Sequence, residues 1–313
     1  MNSNDLQIGP LRISTMVVTA HLGTSINLQK LLEIFNERAI PLTYPEEGFL
    51  KVEYKPILNL KENATTQEIQ KAKQKAKAQE KIIIGTCSRD ELTKRKKSKN
   101  IFFNQSTLVV RRKYMNAPSG DPVFKEVNIK LFKNGGIQMT GIPSDIFAKE
   151  TITWLAKELS LFSEPVLEGG EAKPHRYDIQ LINSDYQVNG SINRERLHEI
   201  LINEYNLFSS FESTIYQGCD TKYFYNESCP KDAPEGICPC GDTLCVGNGD
   251  GISIGQCKKI TISPFHTGSV IITGGRKFEQ IEKAYIFINK ILKKHASEVI
   301  KPFLENEVKK NKV

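Results

Sequence analysis

The 313-residue sequence lacks the apolar runs and the leader that would place it in or across a membrane. No apolar stretch approaches the roughly 18 residues that a membrane span needs, and residues 1–10 are polar, without the basic and then apolar order of a secretory signal. Histidine is scarce, and the sequence contains no His-Glu-x-x-His, Walker loop or serine elbow. We therefore expect a soluble, intracellular protein that is not an enzyme and has no membrane partner.

What the sequence does contain is enough apolar residue for a packed core and an excess of basic charge. Hydrophobic residues make up 39% and charged residues 25%, which argues against wholesale disorder. The formal net charge is +7. Such an excess favours a polyanionic partner such as nucleic acid, although similar charges also serve solubility alone.

Cysteine is concentrated in one segment, because six of the seven cysteines lie between Cys219 and Cys257. Without a secretory leader a disulfide framework is not expected. Four soft thiolates can hold zinc tetrahedrally, and the candidate ligands are Cys229, Cys238, Cys240 and Cys245. The Cys-x-Cys spacing is tighter than in most zinc motifs, so free thiols or a disulfide formed on oxidation remain alternatives. No other cofactor is required.

The chain repeats itself, and the first sign is a shared Ser-Ile-Asn triplet. Residues 25–27 and 191–193 carry this triplet 166 positions apart (191 − 25). Each triplet precedes a stretch with helical spacing of apolar residues, and Asn27 and Asn193 are suitable N-caps for it. Each half therefore begins with a strand followed by a short helix.

A second pair of matching segments confirms the duplication. Residues 132–141 match residues 265–274 at an offset of 133 (265 − 132), each as two strands joined by a tight turn at Gly135 or Gly268. An amphipathic helix follows each hairpin, from Ser144 in the first half and near Phe278 in the second. The smaller offset means that the first half carries extra chain.

The repeats divide the sequence into four segments. They are a first repeat over 1–162 with a basic insertion at about 61–100, a linker over 163–175, a second repeat over 176–300 with a cysteine-rich loop at about 219–257, and a basic tail over 301–313.

The insertion has two features of its own. Thr65 and Glu68 have the spacing of a capping box, which predicts a helix to about Lys81. The basic run 93–99 then fits a solvated loop, a phosphate-contacting arm or a nuclear-localisation signal.

The order of elements, and the Phe…Gly…Thr-Gly hairpin that precedes a helix, resemble the two direct repeats of the TATA-binding protein family. The insertion and the cysteine loop are more similar to the divergent versions that large DNA viruses encode. The resemblance implies an α+β saddle, in which two repeats form one curved antiparallel sheet with the helices on its convex face. The concave face of such a saddle lies in the DNA minor groove.

The function that the resemblance implies is that of a basal transcription initiation factor. Such a factor binds and bends double-stranded, A/T-rich promoter DNA, and its partners are other basal factors and RNA polymerase. It works in the nucleus if the protein is cellular, and in the virion or a cytoplasmic viral factory if it is viral. The alternatives are a degenerate saddle that serves as a protein-interaction or virion scaffold, and a substrate-binding module for a nuclease.

The resemblance also implies the residues that touch DNA. Aromatic wedges that enter base steps match Phe132, Phe265, Phe211 and, chosen over its neighbour Phe102, Phe103. The floor of the groove-binding surface matches Gln138, Thr140, Ile271 and Thr273, together with Thr15, Val17, Leu181 and Asn183 on the opening strands.

The match on the opening strands is imperfect. The family has asparagine at the positions of Thr15 and Leu181, whereas this sequence has its asparagine two residues later, at Asn183. Lys130 and Ser263 also replace a usual leucine. These departures predict an A/T preference that is weaker and less symmetric than in the cellular family.

Overall fold

The chain folds into two units, which the computed structural model describes over residues 5–55, 65–68, 70–71, 81–92, 105–115, 120, 122–228, 233–240, 244–245 and 248–303. The N-terminal unit is Val17–Asp178, and the C-terminal unit is Ile179–Val313 together with Met1–Met16. The unit boundaries fall within the strands β1 (Arg12–His21) and β7 (His175–Gln187).

The N-terminal unit contains a sheet in the order β3-β2-β4-β5-β6-β1, and each strand pair with a determined register is antiparallel. Its further elements are α1 (Leu28–Ile34), a 3₁₀ turn (Phe35–Glu37), β2 (Gly48–Tyr54), β3 (Ile82–Gly85), α2 (Ser88–Leu92), β4 (Gln105–Met115), β5 (Pro122–Phe132), β6 (Gly136–Ile142) and α3 (Asp145–Leu159).

The C-terminal unit has its strands in the order β7-β12-β11-β10-β9, again antiparallel. Its elements after β7 are β8 (Gly190–Ile192), α4 (Arg194–Asn203), β9 (Ser209–Ser210), β10 (Asp220–Tyr225), β11 (Lys258–Pro264), β12 (Ser269–Gly275), α5 (Phe278–Lys294), α6 (Ala296–Val299) and β13 (Ile300–Pro302). The order repeats that of β1-β6-β5-β4-β2, so the predicted α+β class with two direct repeats is confirmed.

One face of each sheet is covered by helices. Along the strands, fully buried residues therefore alternate with half-buried ones. On β7 the buried Tyr186 packs edge-to-face against Tyr285 of α5 with ring centroids 4.8 Å apart, and its hydroxyl donates to Asn289 at 2.6 Å. In the N-terminal unit Phe49 of β2 packs on Trp154 of α3 with centroids 5.5 Å apart. Each such large apolar side chain stabilises the fold by about 1.5–3 kcal/mol.

The hairpin turns are held by the same backbone hydrogen bonds in both units. Leu22 N donates to Gly135 O, and Val188 N donates to Gly268 O, both at 2.9 Å. Both glycines have positive φ, and a Cβ on either would lie 2.0–2.3 Å from a carbonyl oxygen of the preceding segment. Glycine is therefore required twice, because no L side chain fits a left-handed turn this close to another backbone.

The helix starts also agree with the sequence prediction. The side chains of Asn27 and Asn193 accept hydrogen bonds from the third residue beyond them, at 2.9 and 3.2 Å, and so cap α1 and α4. The backbone N–H groups of the same residues donate to Val166 and Val299, at 2.9 and 2.8 Å. Val166 is buried although it belongs to the segment predicted as a linker.

Part of the predicted insertion extends the first sheet. Strand β3 pairs with β2 as an edge strand, and the short helix α2 brings Asp90 to within 2.8 Å of Lys51. The capping box is present, since Thr65 N donates to Glu68 and Glu68 N donates to the Thr65 hydroxyl. The basic run 93–99 and most of the predicted helix lie outside the described residues. Among the described helices, none is long and apolar enough to cross a membrane.

Candidate nucleic-acid interface

Each sheet has a second face, opposite its helices, which we call the open face of that unit. Strand alternation places the side chains of Val17, Gln138 and Thr140 on the open face of the N-terminal unit, all of them half-buried. Leu181, Asn183, Ile271 and Thr273 occupy the open face of the C-terminal unit in the same way. The floor residues predicted from the sequence are therefore brought together within each unit.

The two hairpins have the same register. In β5–β6, Lys130 lies opposite Gln138 and Asn128 lies opposite Thr140. In β11–β12, Ser263 lies opposite Ile271 and Thr261 opposite Thr273, which are the positions 133 residues later. A one-residue slip would turn every side chain to the other face. The register therefore supports the residue-by-residue equivalence of the repeats.

Asn183 and Thr273 form a polar pair on the open face of the C-terminal unit. They lie opposite each other on β7 and β12, and the Thr273 hydroxyl donates to the Asn183 side-chain oxygen. Because this bond occupies the side-chain oxygen, the amide nitrogen is the group of Asn183 that can donate to a ligand. Minor-groove A·T pairs present only acceptors. The position equivalent to Asn183 in the first repeat is Val17, which has no such donor.

The hydroxyl of Thr15, a predicted floor residue, is not accessible to a ligand. Its side chain is half-buried on β1, but its hydroxyl is shielded from solvent and has no hydrogen-bond partner within the described residues. A base acceptor could not reach this hydroxyl without a rearrangement. Thr15 therefore contributes surface to the open face in this conformation, and the partner position Leu181 contributes only apolar surface.

Two ion pairs lie near the open face of the C-terminal unit. Arg12 forms an ion pair with Asp185 at 2.8 Å, and Lys222 pairs with Asp220 at 2.7 Å. The Lys222 ammonium also donates to the Thr261 hydroxyl at 3.1 Å. Lys130, on the open face of the N-terminal unit, has no ion pair within the part of the chain that is described. The carboxylates of Asp185 and Asp220, which would repel phosphates, are thus paired with cations.

The aromatic side chains predicted as wedges lie near strand ends where the structure describes them. Phe132 and Phe265 end or follow equivalent strands and are both half-buried. Phe265 packs edge-to-face against Tyr216, with centroids 5.7 Å apart. Phe211 lies beneath the Arg194 guanidinium, 4.9 Å from its ring centroid. The predicted wedge Phe103 lies outside the described residues.

The Phe265–Tyr216 pair depends on a glycine between its partners. A Cβ on Gly218 would lie 2.7 Å from the Tyr216 ring and 3.1 Å from the Phe265 ring. The sequence search missed Tyr216, because it favoured phenylalanine at the wedge positions. The signal that could have found it is an aromatic residue two positions before a glycine that leads into β10.

The cysteine loop brings four sulfurs together. The Sγ atoms of Cys238, Cys240, Cys245 and Cys257 all lie within 4.8 Å of one another and could hold a metal ion. Three of these are the ligands predicted from the sequence. The fourth is Cys257, which was not among them, whereas the predicted Cys229 lies outside the described residues.

Comparison with known proteins finds a curated relative and a similar solved structure. The chain is 28% identical over 229 residues to a TATA-box-binding protein-like protein of Acanthamoeba polyphaga mimivirus; the match covers 69% of this chain and 55% of that protein, so the chain spans about half the length of that relative. The solved structure of TBP from Methanococcus jannaschii matches with a TM-score of 0.45 and 16% identity, covering 91% of this chain and 98% of that one. No protein-family model matches. The resemblance to divergent, virus-encoded TATA-binding-protein-like proteins is confirmed.

Proposed function

We propose that this TATA-binding-protein-like chain is a basal transcription initiation factor that binds promoter DNA through the minor groove and bends it. The observation that carries the proposal is the equivalence of the two open faces, residue by residue in register, with an aromatic side chain at the same strand end in each unit. A duplicated surface of this kind suits a ligand that repeats along its own axis, as a duplex does.

The chemistry of the open faces suits the minor groove. Apart from Lys130, the floor residues are threonine, valine, isoleucine, leucine, glutamine and asparagine, which can lie against sugars and base edges without bringing an unpaired charge there. Asn183 offers a directed donor to the A·T acceptors. A guanine amino group at the same place would meet that donor and leave both groups unpaired.

The aromatic positions supply the bending. Prising apart a base step costs a few kcal/mol, which an inserted apolar side chain offsets with new stacking contact. Tyr216 supports Phe265 from the side, and an edge-to-face pair contributes about 0.5–1.5 kcal/mol beyond its buried area. A supported ring enters a base step with less loss of side-chain freedom than an isolated one.

The test replaces the two equivalent phenylalanines and measures both binding and bending. Phe132→Ala and Phe265→Ala should each reduce fluorescence-measured bending of an A·T-rich duplex and weaken its affinity, while the thermal melt of the protein stays close to that of the parent. The control is Phe278→Ala, because Phe278 is an exposed phenylalanine (46%) that begins helix α5 and does not lie at the end of a sheet strand. If both variants bend DNA as the parent does, the wedge assignment is wrong.

The partners of such a factor would be other basal transcription factors and RNA polymerase. The helices leave apolar side chains exposed on the opposite side of each sheet, including Ile146 of α3 (69%) and Ile286 of α5 (53%). These are available to protein partners while DNA occupies the open faces. A protein scaffold without DNA binding is the rival. A gel shift with A·T-rich and G·C-rich duplexes across a salt series decides between them.

A further inference from the structure

The loop between β10 and β11 contains a group of side chains that the DNA-binding surface does not use. Within it, Cys240 Sγ lies 3.4 Å from Cys257 Sγ, and Cys238 Sγ lies 3.5 Å from Cys257 Sγ. Cys245 and Cys257 are buried, and Cys238 and Cys240 are half-buried. Four thiols this close, partly removed from water, lose hydrogen-bonding capacity unless another group binds them.

A neighbouring amide is already aimed at the sulfurs. Asn226 follows β10, and its side-chain nitrogen donates to Cys240 Sγ at 3.6 Å and to Cys257 Sγ at 3.5 Å. The same nitrogen donates to the Gly255 carbonyl at 2.8 Å, which fixes the amide between the loop ends. Donors to sulfur of this kind orient the ligands of a metal and stabilise their negative charge.

We propose that Cys238, Cys240, Cys245 and Cys257 bind one zinc ion as four thiolates, with Asn226 as the supporting donor. Zinc–sulfur bonds of about 2.3 Å in a tetrahedron place the sulfurs slightly less than 4 Å apart, close to the separations found here. Four protein ligands leave no open position, so the site is structural and does not activate water. On binding, the thiols release their protons to solvent.

The zinc would anchor the loop to both strands that the loop connects. Near the cysteines, Phe224 N of β10 donates to Gly236 O at 2.9 Å, and Lys259 N of β11 donates to Gly249 O at 2.8 Å. A Cβ on Gly236 would touch Tyr223, Leu207 and Phe287 at 2.9–3.4 Å, so the loop backbone rests on the core under α5. The ion therefore joins segments that already pack against the C-terminal unit.

The site differs from the set that spacing alone suggests, and the difference can be tested. The protein, expressed with zinc and purified without chelator, should contain one zinc ion per chain by elemental analysis. Cys257→Ser and Cys240→Ser should lose it. Cys229→Ser should keep it, and Cys87→Ser is the control for loss of a buried cysteine outside the cluster.

Two further measurements do not depend on a cysteine variant that folds. Cobalt exchanged into the parent should give the absorption bands of a tetrahedral tetrathiolate site. Asn226→Leu retains all four cysteines, and it should bind zinc but lose it to a chromogenic chelator about 10–100-fold more readily.

Three outcomes would overturn the proposal. They are a parent without zinc, zinc that is lost from Cys229→Ser but kept by Cys257→Ser, and a parent mass lower by two hydrogen atoms under non-reducing conditions, which indicates a disulfide. Each differs from a failure of DNA binding, because metal content is measured without DNA.

Discussion

Asn183→Val makes the second repeat match the first at one position of the open face, since the equivalent residue there is Val17. The change removes the donor amide that Thr273 orients. We expect affinity for A·T pairs under the second repeat to fall, and affinity for G·C pairs to change little. The A·T over G·C ratio should therefore decrease.

The size of the effect follows from one hydrogen bond. A neutral hydrogen bond contributes about 0.5–1.5 kcal/mol, so the loss of one bond to a base acceptor should lower the ratio about two- to tenfold. Thr273→Val leaves Asn183 in place without its orienting partner, so its loss should be smaller. The double variant should be no worse than Asn183→Val alone, because the two residues act through the same amide.

The assay is a competition titration on duplexes that differ only in the pair under the second repeat. The reciprocal variant, Val17→Asn, offers a donor beside Thr140 in the first repeat and should sharpen preference there. An unchanged ratio in Asn183→Val, with a parental thermal melt, would refute the role of this amide. An equal fall for A·T and G·C duplexes would show that Asn183 supplies contact and no base discrimination.

Three further predictions concern other parts of the molecule. Thr15→Val removes a shielded hydroxyl that has no hydrogen-bond partner in the described residues. The free energy of unfolding should therefore rise by about 1 kcal/mol in denaturant titration. A fall would contradict the conclusion that this hydroxyl is buried and unpaired. Burial is the largest single influence on the carboxyl pKa values of Asp90 and Glu53, and it raises them. Hydrogen bonds and charge attraction from Lys51, joined by Cys87 at Asp90 and by Lys81 at Glu53, together outweigh burial and lower both pKa values. The stabilisation from these groups is therefore present above the ordinary carboxyl pKa of about 4 and is lost as pH falls through the lowered values. In Lys51→Met, the free energy of unfolding should accordingly decrease less steeply as the pH falls, which unfolding measured at several pH values would show. Replacing the basic residues of 93–99 with glutamine should weaken binding to all duplexes alike. The slope of log affinity against log salt should fall by about 0.9 per lost phosphate contact. An unchanged slope would mean that the run does not contact phosphates.

The backbone of the fold was predictable because its signals are local. Asn27 and Asn193 cap helices, Gly135 and Gly268 form left-handed turns, and the strands alternate in burial, as the sequence indicates. A spacing that occurs in both repeats is stronger evidence for an element than one copy alone, since both copies would have to arise by chance. Strand β3 was missed because its short apolar run follows a lysine-rich segment and is recognisable only by its pairing with β2.

The side-chain partners were less predictable because they depend on loop paths. Tyr216, rather than Phe211, reaches Phe265 since the chain between β9 and β10 turns back before Gly218. Cys257 joins the sulfur cluster although it lies 12 positions after Cys245 (257 − 245), because the start of β11 returns to the end of β10. Sequence spacing identifies candidate residues for such sites. The pairing of the strands determines which candidates come together.

The duplication also explains why the two open faces should bind DNA unequally. Backbone features are held in both copies, down to the turn glycines and their hydrogen bonds, because losing either would disrupt packing of the sheet. Side chains on the open faces carry no such constraint, and they differ: Gln138 in one unit occupies the place of Ile271 in the other, and the half-buried Lys130 occupies the place of the buried Ser263. The side chain of Gln138 can re-pair with a guanine amino group, whereas that of Ile271 cannot. Selection from randomised duplexes should therefore yield sites that are A·T-rich under the second repeat and less restricted under the first, and a sharp, symmetric site would contradict this explanation.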